Sequence, residues 1–398
     1  MTTSRGYRTL LGASTVSNLG DGVLLGALPL LTAQVTRDPL AVSGVTAFTW
    51  LPWLLFSLPV GVLVDRIDRR RLMVAMDAFR VVVVGALAAA VLMEAASLPL
   101  LFGIAFTLGA AETLFDNGAQ TILPSVVAAP DLPRANGRLF AAEVTANQFA
   151  GPPLGSALFV VAAAAPFALD AASFALSGLL LASIPGGFRA ETTRPRAPIR
   201  VEIADGLRWL WGHRVIRSFA LGAAGLNVAF TAGYSLLVLF AQDELGIGEA
   251  GFGLLLAGMA VGSTAGSLGA SRVIERLGSR SAVLAAVTVI GISLLGVALT
   301  RSVVATGILL ALTGFAQMVW NVVAVSYRQT VVPNELLGRI NSVYRLVAYG
   351  SFPIGALLGG VIAKGAGLGA PWVLGGAGTL VVVPLLAGPL RALDRQSD

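Results

Sequence analysis

The sequence predicts an all-α membrane protein with twelve transmembrane helices, arranged as two pseudo-symmetric halves of six. Of its 398 residues, 56% are hydrophobic and only 12% are charged, whereas an ordinary soluble domain has about 25% charged residues. So few charges cannot cover the surface of a soluble protein of this length. A dozen spans of about 20 apolar residues each account for the composition instead. Because the chain has no cysteine, disulfide frameworks and thiolate metal sites are excluded.

The apolar runs between polar segments give twelve candidate spans, each long enough to cross a bilayer. Their approximate bounds are 7–35, 42–63, 72–95, 98–122, 137–162 and 165–184 in the first half, and 216–240, 250–271, 281–300, 303–327, 339–362 and 371–390 in the second. The first run contains Asn18 and Asp21 and is longer than the core of a signal peptide, so we expect no cleavable signal.

The basic residues fall almost entirely on one side of the predicted membrane. Of 27 lysines and arginines, 24 lie in connectors of one side or in the adjacent first turns, where we place Arg80 and Arg345. Only Arg37, Arg301 and Lys364 fall on the other side. This asymmetry follows the positive-inside rule and predicts a multi-pass protein of the cell inner membrane with both termini in the cytoplasm. The net charge of +6 therefore orients the chain and does not indicate nucleic-acid binding.

The longest connector divides the chain into three parts. Residues 1–185 form the N-terminal six-helix half, residues 186–215 a cytoplasmic linker, and residues 216–398 the C-terminal six-helix half. In the later part of the linker, five apolar side chains from Ile199 to Trp211 share one helical face. This pattern is typical of a short helix lying on the membrane interface.

Two sequence patterns recur in the second half at nearly the same offset. Residues 65–70 follow the second span and residues 275–280 follow the eighth, 210 positions later. Residues 134–137 precede the fifth span and residues 339–342 precede the eleventh, 205 positions later. The matched positions indicate an internal repeat. Paired halves with a substrate site near the bilayer midplane are typical of secondary transporters.

The segment after the second span, GVLVDRIDRRRL from Gly61 to Leu72, resembles the loop 2–3 signature of the major facilitator superfamily, with Asp68 at the signature's second glycine. The resemblance implies a cytoplasmic gate formed by Gly61, Asp65, Arg66, Arg69, Arg70 and Asp116. In such a gate Asp65 latches the two halves when the transporter faces outward, and Arg69 pairs with Asp116 on the fourth span. The alternative is that the arginines only set the topology.

The fifth span contains NQFAGPPLGS, residues 147–156, which looks like the antiporter motif of that superfamily and keeps Gly151, Pro152 and Gly155. Small residues allow close helix packing and prolines kink helices, so tight packing alone is the alternative to a role in export. Residues 18–21 and 112–120 are similar to the siderophore and macrolide exporter branch. The resemblance spans essentially the whole chain and implies an efflux transporter of the drug/proton antiporter type.

Acidic residues inside a bilayer are costly and mark functional sites by default. We assign Asp21, Glu112 and Glu143 to proton coupling, because a buried carboxyl favours its protonated form and can keep the proton until the cavity opens. Asp116 belongs to the implied gate, and Asp170 can extend to the outer interface. Many proton-coupled members of the superfamily carry an arginine in the fourth span, and this chain has none there.

Polar and aromatic residues at mid-membrane depth are the candidates for substrate binding, although each could equally make a hydrogen bond between helices. They are Asn18, Asn147, Gln148, Asn227, Tyr234, Gln317, Trp320 and Asn321.

Several function classes are excluded by simple counts. The only lysine, Lys364, is followed by glycine, so there is no Walker A motif. A single histidine, His213, excludes two-histidine zinc motifs. We therefore expect no enzyme activity, no cofactor and no metal. The expected partners are a small-molecule substrate, protons and the lipid bilayer, with no nucleic acid and with the chain acting as a monomer.

The sequence thus favours a secondary active transporter that exports a small amphipathic drug, macrolide-like or siderophore-like compound in exchange for protons. One alternative is a facilitator or importer of metabolites or lipids on the same fold. Another is a membrane sensor without transport activity, which is disfavoured because the linker and tails leave little room for an output domain.

Overall fold

A computed structural model describes residues 5–127, 131–185, 188 and 199–396, and within these residues the chain is helical and has no strand. The first half contains α1 (Arg5–Val35), α2 (Pro39–Arg66), α3 (Arg69–Leu92), α4 (Leu98–Val126), α5 (Leu132–Glu143), α6 (Gly151–Val161) and α7 (Ala165–Ala182). A π-helical stretch, Val144–Ala150, joins α5 to α6.

The linker and the second half contain α8 (Ile199–Gly212), α9 (Arg214–Tyr234), α10 (Leu237–Leu239), α11 (Glu249–Leu277), α12 (Ser279–Leu299), α13 (Val303–Val331), α14 (Asn334–Tyr349), α15 (Ser351–Ala366) and α16 (Ala370–Ala387). A π-helical stretch, Phe240–Glu244, follows α10, and a 3₁₀ segment, Pro389–Gln396, ends the described chain. The predicted interfacial helix in the linker corresponds to α8.

Eleven helices of the described chain are long and apolar enough to cross a membrane. The predicted fifth span is not among them. It corresponds to the run from α5 through the π-helical stretch to α6, which begins with polar residues and contains two helix types. The structure therefore confirms an all-α multi-pass protein and is consistent with twelve spans.

The polarity of surface and interior is that of a membrane protein. Many bulky apolar side chains of the described helices are exposed, Leu92 and Leu254 by 75% and 71%, and apolar surface of this extent indicates contact with a membrane. Conversely, Asp77, Arg80 and Asp170 are completely buried or nearly so. In soluble proteins such charged residues are almost never fully buried unless paired.

The chain folds into two compact units. The first comprises residues 1–36 and 51–196, and the second comprises residues 37–50 and 197–398. In the first unit α1 packs against α5, α6 and α7, and α3 packs against α4 and α7. In the second unit α9 packs against α15 and α16, and α12 packs against α13 and α16. The first part of α2 thus groups with the second unit.

Candidate functional site

Four charged side chains meet inside the first unit, on three different helices. Asp21 lies on α1, Asp77 and Arg80 on α3, and Asp170 on α7. Nη2 of Arg80 is 2.7 Å from Oδ1 of Asp77, and Nη1 is 3.6 Å from Oδ2 of Asp21. The side chains of Arg80 and Asp77 are 1% and 0% exposed, while that of Asp21 is 18% exposed. We name these four residues the charge cluster.

Arg80 was wrongly predicted to be a cytoplasmic orienting residue. The third helix begins at Arg69 and ends at Leu92, so Arg80 lies at its centre. Its guanidinium lies between the rings of Phe115 and Phe174, 4.4 and 4.2 Å from their centroids. A desolvated cation–π contact contributes about 2 kcal/mol, so the two rings and the Asp77 carboxylate together hold this cation in the membrane interior.

Asp170 does not extend to the outer interface, the alternative left open by the sequence. Its side chain is buried, and the Ser173 hydroxyl donates to its backbone carbonyl at 2.8 Å and lies 3.4 Å from its Oδ1. Gly20 makes this possible, because a Cβ there would overlap Oδ1 of Asp170 and lie 3.0 Å from Cβ of Ser173. The glycine beside Asp21 thus lets a second carboxyl approach the backbone of α1.

The predicted proton-coupling residues lie around this cluster. Glu112 on α4 is partly buried and is within electrostatic range of Asp21, Asp116, Arg80 and Glu143. Glu143, at the end of α5, is exposed. The structure therefore brings Asp21 and Glu112 together with an arginine of α3.

The predicted cytoplasmic gate is described only in part. Helix α2 runs through Gly61, Asp65 and Arg66, but their side chains lie outside the described residues, so the latch stays a prediction. The pairing of Arg69 with Asp116 also stays a prediction. Arg70 donates to the backbone carbonyl of Ile184 after α7, a contact within the first unit that helps close the end of that helix.

Asp68, which departs from the family signature, caps α3. Its Oδ1 accepts from the backbone N–H of Arg71 and its Oδ2 from that of Phe188, both at 3.0 Å. Burial by itself raises the pKa of Asp68, but these two donors and the charges of Arg70 and Arg71 outweigh burial and hold the pKa below its usual value. Glycine at this position would supply neither hydrogen bond.

We expect Asp68→Ala to lower the free energy of unfolding by about 1 kcal/mol, the usual loss for an N-cap. Asp68→Asn keeps an acceptor and should lose less at neutral pH. Because the folded-state pKa is lowered, the contribution of the ionised form is present above the unfolded value and disappears as the pH falls below about 3.8. Thermal unfolding in detergent across this range checks the prediction, and a difference between wild type and Asp68→Asn that persists in acid would contradict it.

The glycines of the antiporter-like motif pack α6 directly onto α1. A Cβ on Gly151 would lie 2.5 Å from the carbonyl carbon of Gly22, and one on Gly155 would lie 2.8 Å from that of Val23. Real Cβ atoms essentially never show contacts under 3.0 Å. Only glycine at both positions allows the two backbones to approach so closely.

The second unit repeats this arrangement 204 residues later in the chain. Cβ atoms on Gly355 and Gly359 of α15 would lie 2.7 Å from the Val228 oxygen and 2.7 Å from the Ala232 carbonyl carbon of α9. The sequence pattern at residues 134–137 recurs 205 residues later, at residues 339–342. The first half therefore has one residue more than the second between this pattern and the two glycines. The π-helical stretch Val144–Ala150 accommodates such an extra residue, because its hydrogen bonds span one more residue than those of an α-helix.

A cavity of about 450 Å³ lies between α1 and the run formed by α5 and the π-helical stretch Val144–Ala150. Its described lining residues are Thr15, Leu19, Ala141, Ala142, Thr145, Ala146 and Ala150. None of the predicted substrate-binding residues is among them. The small side chains recur at helical spacing in the sequence, and this pattern was the signal that could have identified the cavity.

The remaining substrate-binding candidates divide by environment. Nδ2 of Asn227 donates to the Ala348 carbonyl at 2.8 Å, so it makes the interhelical bond that was the alternative. Trp320 is buried against Phe219. Asn18 donates to the Ser14 carbonyl of its own helix, and Tyr234 stacks on Phe230. Asn147 and Gln317 are partly buried and Asn321 is exposed. The side chain of Gln148 lies outside the described residues.

All three basic residues predicted on the outer side are ion-paired within the second unit. Arg37 contacts Asp243, Lys364 lies 3.1 Å from Asp38, and Arg301 lies 2.9 Å from Glu244. We name the four residues of the first two pairs the α2 docking cluster, because Arg37 and Asp38 immediately precede α2.

The same part of α2 makes apolar contacts in the second unit. The Trp50 ring lies 4.5 Å from that of Phe352 and 6.1 Å from that of Tyr349, and Gly360 allows contact with Leu40 and Ser43. Both ends of the segment 37–50 are therefore fixed to the C-terminal helices.

Within the part of the chain that the structure describes, no group of three or more His, Cys, Asp or Glu residues could hold a metal ion. In the charge cluster Arg80 pairs with Asp77, while Oδ2 of Asp77 and Oδ2 of Asp170 are buried without a hydrogen-bond partner. Burial favours the protonated form of a carboxyl group, so groups in this setting can take up and release protons.

Comparison with solved structures shows the fold. A crystal structure of a variant of the nucleoside transporter NupG superposes with a TM-score of 0.78 at 11% identity, covering 97% of this chain and all of that one. A bacterial homologue of the iron transporter ferroportin, solved in an inward-facing state, gives 0.74 at 18% identity, with 98% and 100% coverage.

Sequence relatives cover the chain end to end. The multidrug efflux pump Tap of Mycolicibacterium fortuitum is 28% identical over 413 residues, which are 98% of this chain and 97% of the relative. Tap of Mycobacterium tuberculosis (strain ATCC 25618 / H37Rv) is 28% identical over 386 residues, 92% and 88% of the two chains. A family model described as transmembrane secretion effector matches residues 3–397, and the chain belongs to this family of major facilitator transporters.

Proposed function

We propose that this protein exports a small amphipathic compound, such as a drug, a macrolide or a siderophore, across the cell inner membrane in exchange for protons. The relatives named multidrug efflux pumps, which match 92% to 98% of the chain, support export. The positive-inside asymmetry supports cytoplasmic termini. Alternating access about a midplane site is the mechanism that such paired six-helix halves use.

The observation that carries proton coupling is the charge cluster. Three carboxyl groups, those of Asp21, Asp77 and Asp170, surround one arginine in the interior of the first unit. Fully ionised, the cluster would carry two uncompensated negative charges in a medium that strongly disfavours them. Protons that enter and leave with the conformational cycle remove this excess charge. Asp21, the partly exposed member, is the group that water reaches.

The substrate surface we propose is the cavity beside α1. Its volume of about 450 Å³ falls in the range of sites for drug-sized ligands, which is about 300–1,000 Å³. Alanine and leucine side chains make the lining almost entirely apolar, and the Thr15 hydroxyl donates to the Leu11 carbonyl of its own helix at 2.7 Å. Such a lining suits the apolar part of an amphipathic compound. Because α1 carries both the cavity lining and Asp21, substrate and proton act on the same helix.

Reconstitution with an imposed pH gradient tests this function. In proteoliposomes screened with dyes, macrolides and siderophores, we expect gradient-driven movement of at least one compound. Asp21→Asn and Glu112→Gln should each abolish the gradient dependence, because an amide cannot release a proton. Glu94→Gln, which changes an exposed acid just after α3, is the matched control and should transport like the wild type.

Three outcomes separate the alternatives. Gradient-driven movement that survives both substitutions would contradict the assignment of the carboxyl groups. Movement that is independent of the gradient in the wild type would favour a facilitator or importer on this fold. No movement of any compound would favour the sensor.

A further inference from the structure

The pair of Asp77 and Arg80 on α3 lies outside the two motifs described above, residues 61–72 and 147–156. The two residues are one helical turn apart, and both are fully buried. An arginine that only paired with a neighbour on its own helix would have no reason to be surrounded by acids from other helices. Its position at the meeting point of α1, α3, α4 and α7 needs another explanation.

The hydrogen-bond donors of Arg80 are only partly used. Nη2 donates to Asp77 at 2.7 Å, whereas Nη1 and Nε are buried without a hydrogen-bond partner. Nη1 points toward Asp21, but the distance of 3.6 Å is too long for a hydrogen bond. A small movement of α1 toward α3 would close this gap.

The charged surroundings of Arg80 and Asp21 come from every helix packed around them. They are Asp77 on α3, Glu112 and Asp116 on α4, and Asp170 on α7, with Glu143 at the end of α5 acting on Glu112. Among the groups that act on Asp21, Glu112 and Asp170, Arg80 is the one cation. The two aromatic rings that enclose its guanidinium limit its motion, so the gap closes by a movement of Asp21 or of α1.

We propose that Arg80 is a positioning residue for proton exchange, which holds the deprotonated carboxylate of Asp21 and releases it on protonation. This inference rests on the proposed function. When Asp21 gives its proton to water, the carboxylate accepts a hydrogen bond from Nη1 of Arg80, and α1 moves toward α3. When a proton returns to Asp21, the attraction is lost and the gap reopens. Asp77 remains the fixed counter-ion throughout.

The test compares three variants with the wild type in proteoliposomes: Arg80→Gln, Arg80→Lys, and Arg80→Gln combined with Asp77→Asn. Removing the cation disfavours the ionised form of Asp21, so its proton is released only at higher pH. We expect the midpoint of the pH profile of transport to move upward by about one pH unit or more in Arg80→Gln. Gradient-driven export at neutral pH should fall about tenfold. Arg80→Lys keeps the charge and should restore part of the activity with an intermediate midpoint.

The double variant tests whether a loss of stability alone accounts for the reduced transport of Arg80→Gln. Removing both members of the buried pair leaves the net charge of the cluster unchanged, whereas Arg80→Gln alone adds one uncompensated negative charge, so the double variant should fold better than Arg80→Gln alone. We expect it to keep the displaced pH profile. A thermal stability that changes while the pH midpoint stays at the wild-type value would overturn the proposal. If the wild type itself shows no gradient-driven transport, the proposed function fails first, which distinguishes the two failures.

Discussion

A covalent bridge between residues 37 and 243 is expected to stop transport. Arg37 and Asp243 are in contact, and Lys364 pairs with Asp38 beside them. These pairs fix the start of α2 to the second unit, whereas the later part of α2 belongs to the first. If the halves rock about a central site, these contacts have to separate in one state of the cycle.

The expected size of the effect depends on how the contact is changed. The side chains of Arg37 and Asp243 are 47% and 46% exposed, and an exposed ion pair contributes only about 0–1 kcal/mol. Such a pair breaks readily, as a contact that opens in every cycle must. Neutralising Arg37 alone should therefore change transport little, while a covalent bridge should abolish it.

The chain contains no cysteine, so the combination of Arg37→Cys and Asp243→Cys introduces the only two thiols. A short, reducible bis-thiol reagent should bridge them and block gradient-driven export, and a reductant should restore it. The matched control is Arg301→Cys with Glu244→Cys. That pair is of the same kind but does not include α2, so bridging it should leave transport intact. Undiminished export by the bridged 37–243 protein would contradict the expected separation.

Most of the fold could be predicted because a helix that crosses the bilayer needs about 20 apolar residues, and such runs are visible in the sequence. The differences lie at particular helix ends. Helix α11 ends at Leu277 where residue 271 was predicted, and α13 ends at Val331 where residue 327 was predicted. Both ends face the predicted cytoplasm and contain charged residues such as Arg276 and Arg328. A helix continues into water past the point where its apolar pattern stops.

The candidate site could be predicted only in part. Asp21 and Glu112 stand out because each is an acid within an otherwise apolar run. Asp77 and Arg80 do not, because opposite charges at i and i+3 near a predicted helix start look like an exposed surface pair. Asp170 has its neighbours on α1 and α3, about 90 to 150 residues away in sequence. No local sequence pattern shows that α1, α3 and α7 pack against one another.

Alanine at Gly155 and at Gly359 is expected to destabilise the protein to a similar extent. In both places a Cβ would fall within 3.0 Å of the backbone of the facing helix, which cannot yield as a flexible side chain can. Overpacking of this kind costs about 1–3 kcal/mol. Because the two contacts are related by the internal repeat, close helix packing accounts for the glycines of both halves. The antiporter-like motif is present only in the first.

Thermal unfolding and transport, measured on the same preparations, separate the two explanations of the motif. If Gly155 serves packing, Gly155→Ala and Gly359→Ala lower the melting temperature together. If it serves export specifically, Gly155→Ala reduces transport with little change in melting temperature, and Gly359→Ala changes neither. Gly85→Ala and Gly378→Ala are the controls, because a Cβ at either position meets nothing within 4 Å. Alanine there should be neutral or stabilising by up to about 1 kcal/mol, since alanine is the better helix former.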